Sequence, residues 1–244
     1  RTCKWILVAL LVADGRTIAN EQQNRRVPDG LPIVNPVRRA PEPPLLVLPA
    51  LPAEAAAIKA LTLEIRVQVK GESRTSVQQQ TLVRTSDRVR LAIRDGAEWL
   101  FVQNPVDPRR AHAYLIDHEH KALVRYDESD LRNHQQIRGW LDVLTLGLDP
   151  LAVEGLTLAD RTESVEGITF TQHRSETAET GVREVWWSAS QLLALRSVSS
   201  DTRETTTVSI ERIRPGADRA LLAPPELRFP SYSSVDLPDW LEER

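Results

Sequence analysis

Three observations in this 244-residue chain predict an α+β fold, a single curved antiparallel β-sheet whose concave face is covered by helices. Short segments of period-two alternation follow one another from Leu63 to Tyr126. The period then changes to that of a helix over Ser129–Gly147, and strand patterns resume from Leu156 to Ile213. Helices gathered on one side of an antiparallel sheet are one of the few stable layer arrangements.

The elements follow in order. Ala53–Leu61 (AEAAAIKAL) is rich in helix formers and predicts one short helix. In LEIRVQVKG, Ile65, Val67 and Val69 alternate with Arg66, Gln68 and Lys70, a strand wet on one side. SVQQQTLVR is a polar strand. DRVRLAIRDG repeats the alternation, with Val89, Leu91 and Ile93 opposing Arg88, Arg90 and Arg94. Asp95-Gly96 signals a hairpin, and Ala97–Gln103 returns from it. Asn104–Arg110, with two prolines, is a loop, and HAYLID and ALVRYD form the next hairpin. Leu131, Ile137, Trp140, Leu141 and Leu144 share a helical face, with Ser129 as the expected cap and Gly147 as the stop. Asp149-Pro150 starts a second short helix ended by Gly155. LTLAD, GITFTQH, VREVWWS, LALRSVSS and TTVSIERI are strands, and the acidic C-terminal tail is expected to pack through Phe229, Tyr232 and Trp240.

The N-terminal part predicts an exported protein. Arg1 and Lys4 precede the apolar run Trp5–Ala13, and Thr17-Ile18-Ala19 follows, the three parts of a cleaved secretory signal over residues 1–19. The run is too short to span a bilayer as a helix. Residues 20–52 hold half of the sixteen prolines and predict an extended tether. Residues 53–244 then form one domain. A single cysteine, Cys3, excludes an intrachain disulfide, and a net charge of −3 provides no basic field for nucleic acid. The periplasm fits these features.

Candidate chemistry is sparse. His118-Glu119-His120 could place two imidazoles on one metal, with His112, His134 or His173 as a third ligand. The triplet also sits between strand ends, where a polar turn is expected anyway. Asp127, Glu128 and Asp130 resemble an acid pair, but at a helix start they favour capping and dipole stabilisation. No GxSxG or phosphate loop is present, so no enzyme activity and no cofactor are expected. In Trp186-Trp187, alternation can send one ring to the core and the other to the convex face, where Trp187 would anchor a partner; the alternative is that both rings pack under the tail.

The stretches ALTLEIRVQVKG, RTSDRVRLAIRDGAEWLFVQNP, YLIDHEHKALVRYDESDL and VREVWWSASQLLALRSVSSD resemble the half-open β-barrel of periplasmic lipoprotein carriers, the LolA/LolB-like superfamily, over about residues 53–214. The resemblance implies a cavity between sheet and helices for an apolar ligand, a lipid or lipoprotein acyl chain. Its lining would be Val67, Leu91, Ile93, Trp99, Phe101, Trp140, Leu144 and Trp186. It also implies an arginine near the cavity. Arg66, Arg84, Arg90 and Arg94 are available, but alternation turns Arg66, Arg90 and Arg94 away from the apolar set. The alternative is an envelope assembly or sensor domain gripping a protein partner.

Overall fold

The computed structural model describes residues 51, 58–94, 96–175 and 181–242. The expected signal segment, and the expected tether apart from Leu51, lie outside them. Leu51 itself packs against the main core.

Twelve strands among the described residues form one open sheet, antiparallel except for the last pairing. The first meander is β1 (Leu61–Gly71), β2 (Thr75–Arg84), β3 (Arg88–Ile93), β4 (Glu98–Gln103), β5 (Ala111–Asp117) and β6 (Ala122–Tyr126). Helices α1 (Glu128–Gln135), α2 (Trp140–Leu144) and α3 (Pro150–Glu154) follow. The second meander is β7 (Thr157–Val165), β8 (Ile168–Arg174), β9 (Gly181–Ser188), β10 (Leu193–Ser200) and β11 (Glu204–Pro215). The chain leaves β1 in one direction, crosses through the helices, restarts at the far edge with β7 and returns until β11 pairs with β1. The last elements are α4 (Pro225–Arg228), β12 (Ser233–Asp236) and α5 (Leu237–Glu242). β12 pairs in parallel with β6 and so occupies that sheet edge. The opposite edge, β7, is exposed along most of its length and carries Asp160, Arg161 and Glu163, charges that discourage edge-to-edge pairing.

Alternation produces two apolar layers. Leu61, Leu63, Ile65 and Val67 of β1 point to one face with Leu82, Leu91, Trp99, Phe101, Val124 and Tyr126. There they meet Leu131, Trp140, Val143, Leu144 and Val153 from the helices in the main core. On the other face, Val83, Leu100, Ile116 and Leu123 form a second layer, covered by Leu221, Leu222, Phe229 and Tyr232 of the C-terminal segment. That segment crosses the outer face, pairs through β12 and returns Leu237 and Trp240 to the main core. The tail thus wraps around the β6 edge.

Several expectations are corrected. No helix runs through Ile58–Ala60, and β1 begins at Leu61; residues 52–57 lie outside the described part. The single helix expected over Ser129–Gly147 is two. Gln136 takes a left-handed φ of 54° and its N–H closes on Leu131 O, ending α1; α2 then starts after the extended Gly139. Asp127, not Ser129, caps α1: its carboxylate accepts from Asp130 N–H, and the Asp130 carboxylate accepts from Asp127 N–H. Gly147 does provide the stop, at φ 82°, with its N–H donating to Asp142 O at 2.7 Å. Asp149, Pro150 and Gly155 start and end α3 as expected.

Trp187 is the remaining correction. Its ring is 5% exposed and belongs to the main core. Trp186 is half-buried, packs on the same core, and donates its indole N–H to Glu184 at 3.1 Å. β9 is flanked on both sides, and its register with β10 shifts between Ala194 and Arg196, beside the pair. Such bulges interrupt simple alternation, so neither ring stands free on the convex face.

Candidate functional site

The main layer is the candidate site, and it gathers the residues named from the sequence. Val67, Leu91, Trp99, Phe101, Trp140 and Leu144 all belong to one contiguous buried cluster, with Trp186 packed against it; Ile93 is buried beside Leu91 on the same strand. Trp99 stacks on Phe101 with ring centres 5.7 Å apart and meets Tyr126 at 5.0 Å, an aromatic group at the centre of the inner face. Tyr126 was not singled out in the sequence, although its place at the end of an alternating strand is the signal that would have found it. Trp140 is fully buried and donates its indole N–H to Ser86 O at 3.0 Å, tying α2 to the turn after β2. The layer is therefore covered by the helices.

One cation sits in this apolar layer. Arg84, at the end of β2, follows the inward alternation of Gln80 and Leu82 and is 1% exposed. Arg66, Arg90 and Arg94 point elsewhere: Arg66 and Arg94 are exposed, and Arg90 lies on the outer face. Arg84 Nη2 donates to Gln191 O at 2.8 Å and Nη1 to Leu144 O at 3.4 Å. The guanidinium thus ties the sheet to the last turn of α2 and to the turn before β10. Its Nε–H is buried and unpartnered. Burial pulls the group down to about 10, which leaves it charged at neutral pH. A buried cation bonded only to neutral carbonyls is costly. On the same face, Trp99 Nε1 and Gln80 Oε1 are buried without a hydrogen-bond partner as well.

The His118-Glu119-His120 turn has a different role. His118 Nδ1 lies 3.0 Å from Tyr232 Oη, and its ring meets Phe229 and Tyr232 edge-on at 5.3 and 5.9 Å. His120 meets Trp240 edge-on at 5.7 Å and lies 3.0 Å from the Asp117 carboxylate. Phe229 and Tyr232 belong to the outer layer, whereas Trp240 belongs to the inner one. The two imidazoles thus straddle the sheet edge and grip the tail on both faces. Among the described residues, no three His, Cys, Asp or Glu side chains gather as a metal-binding group. His118→Ala should lower stability by about 1–2 kcal/mol, one hydrogen bond and its ring contacts. Urea unfolding measures that loss, and trypsin should cut after Arg228 faster than in the parent.

These features define a class: an open twelve-stranded sheet whose inner apolar layer is closed by helices and tied by one buried arginine. No protein-family model matches the sequence, and no curated protein matches it. Solved structures are similar in fold. An outer-membrane lipoprotein-sorting protein domain from Vibrio parahaemolyticus is 10% identical, with a TM-score of 0.37, over 70% of this chain and 93% of that one. A LolA superfamily protein from Nitrosomonas europaea is 9% identical, with a TM-score of 0.36, over 70% of this chain and 95% of that one. PNGF-II is 11% identical, with a TM-score of 0.37, over 75% of this chain. The chain spans only 32% of that protein's length. These are likenesses of fold alone. No helix among the described residues is long and apolar enough to cross a membrane.

Proposed function

We propose that this is a non-enzymatic periplasmic protein that binds an apolar ligand, a lipid or a lipoprotein acyl chain, between the inner face of the sheet and the helices. Residues 1–19 are its export signal, 20–52 its tether and 53–244 its binding domain. The observation that carries this reading is Arg84. A packed core with no further task gains nothing from a guanidinium that finds no carboxylate partner there. As a tie between sheet and cover, it can hold the layer shut until a guest separates them. The alternative, an assembly or sensor domain gripping an envelope protein, needs another anchor, because Trp187 is buried.

Arg84→Met keeps most of the side-chain volume and removes the tie. Stability should change little, because losing a buried cation offsets the two lost hydrogen bonds. Uptake of a fluorescent fatty acid should rise about tenfold, the effect of one charged hydrogen bond on an opening equilibrium. Native mass spectrometry of gently purified parent protein should show lipid adducts. If parent and variant carry no adduct and neither takes up the probe, the reading fails.

A further inference from the structure

The two apolar layers come together at one rim of the sheet, and a cleft of about 470 Å³ opens there. Its walls are Ile58 and Ala60 before β1, the turn Thr85–Arg88 between β2 and β3, and Arg219 and Leu222 from the C-terminal segment. Ile58 belongs to the inner layer and Leu222 to the outer one, and both are buried, so the cleft has an apolar floor. The Ser86 carbonyl that receives the Trp140 indole N–H is on the same turn, which places the cleft beside the helix cover.

The polar part of the lining is unbalanced. Arg88 Nη1 donates to Leu222 O at 2.6 Å, and its Nε lies 3.8 Å from the Asp87 carboxylate. Asp87 also accepts the Thr85 hydroxyl at 2.8 Å. Asp218, next in sequence to Arg219, accepts from Ala220 N–H. Among the described residues, the guanidinium of Arg219 has no carboxylate partner, and its side chain is exposed. Two arginines and one aspartate therefore line the cleft around its apolar floor. That combination suits an amphiphile with a compact anionic head, since guanidinium forks match phosphate oxygens and the floor accepts the first methylenes. The volume lies in the range of small-molecule sites.

We propose that this cleft holds the phosphate head of an anionic lipid whose chain enters the inner layer past Trp140. The inference rests on the acyl-binding reading above and adds the head-group class to it.

The test compares dodecyl phosphate, dodecyl maltoside and inorganic phosphate, titrated below micelle formation into the full chain and into Arg219→Glu. That substitution breaks no ion pair among the described residues. The parent should bind dodecyl phosphate at least about tenfold tighter than dodecyl maltoside, with added salt weakening only the former. Arg219→Glu should abolish the preference and leave maltoside binding unchanged. Equal binding of both detergents, unchanged in the variant, overturns the cleft as a head-group site while the acyl-binding reading stands. If inorganic phosphate matches dodecyl phosphate, the site serves free phosphate and the lipid assignment falls. If dodecyl phosphate binds through Arg219 but maltoside does not bind at all, the cleft stands and the acyl site in the core is lost. Binding of neither detergent overturns both.

Discussion

Replacing Glu98 by alanine is expected to lower the free energy of unfolding by about 3–5 kcal/mol, because it strands two half-buried cations. Glu98 begins β4 on the outer face and is 5% exposed. Its carboxylate accepts Arg90 Nε at 2.8 Å and Arg90 Nη2 at 2.7 Å, a two-point pairing. Oε1, which takes Arg90 Nε, also accepts from Arg228 Nη1 of α4. The arginine side chains are only 12% and 14% exposed, so water replaces the lost carboxylate only in part. Arg228 also lies over the Phe229 ring at 4.8 Å. The loss should therefore spread along the tail, and hydrogen exchange of residues 217–232 should speed up before that of β1. A pH arm sharpens the test. Burial pushes the Glu98 carboxyl up, but the hydrogen bonds and charges of Arg90 and Arg228 outweigh it and hold it below the usual carboxylate range. A carboxyl with a lower value in the folded state than in the unfolded chain stabilises the fold at neutral pH. That contribution is lost as pH falls through the folded value. Urea midpoints measured from pH 7 down to pH 3 should thus fall less steeply in Glu98→Gln than in the parent. Equal slopes, or a loss below about 1 kcal/mol in Glu98→Ala, would mean that the triad does not hold the tail.

Trp140→Ala carries the second large effect, a loss of about 3–5 kcal/mol. Trp140 is the first residue of α2, is fully buried, and is among the largest side chains enclosed by the main core. Truncation removes its contacts with the inner layer and also leaves Ser86 O without the indole donor. Its cost tests the cover itself. If α2 is a fixed part of the core, the variant should unfold cooperatively at lower urea. If α2 is a lid over a site, α2 and α3 should lose exchange protection while β1, β2 and β11 keep theirs. Trp140→Phe, which keeps the ring and loses the N–H, should cost about 1–2 kcal/mol and separates hydrogen bond from packing. No change in either variant would remove Trp140 from the account of how the layer is closed.

Much of the architecture was legible because it is written locally. Alternation in LEIRVQVKG and DRVRLAIRDG places Ile65, Val67, Leu91 and Ile93 on the buried face, and the change of period after Asp127 marks the helices. Asp149, Pro150 and Gly155 bound α3 as short-range rules require. The site was legible in part. The apolar set of the candidate layer follows from alternation, which also turns Arg66, Arg90 and Arg94 away and leaves Arg84 without an assigned role. Its hydrogen bonds reach Leu144 O and Gln191 O, which lie 60 and 107 positions away.

Local pattern settles the strands, the helical insert between two meanders and the inward apolar set, because pleat and helix period act over a few residues. Long-range packing sets where the insert breaks, why Trp187 is inside, how the tail wraps the β6 edge, and that His118 meets Tyr232 across 114 positions. Those outcomes turn on which distant side chains meet, and meeting depends on how the sheet twists and where its edges need cover, properties that no local pattern encodes.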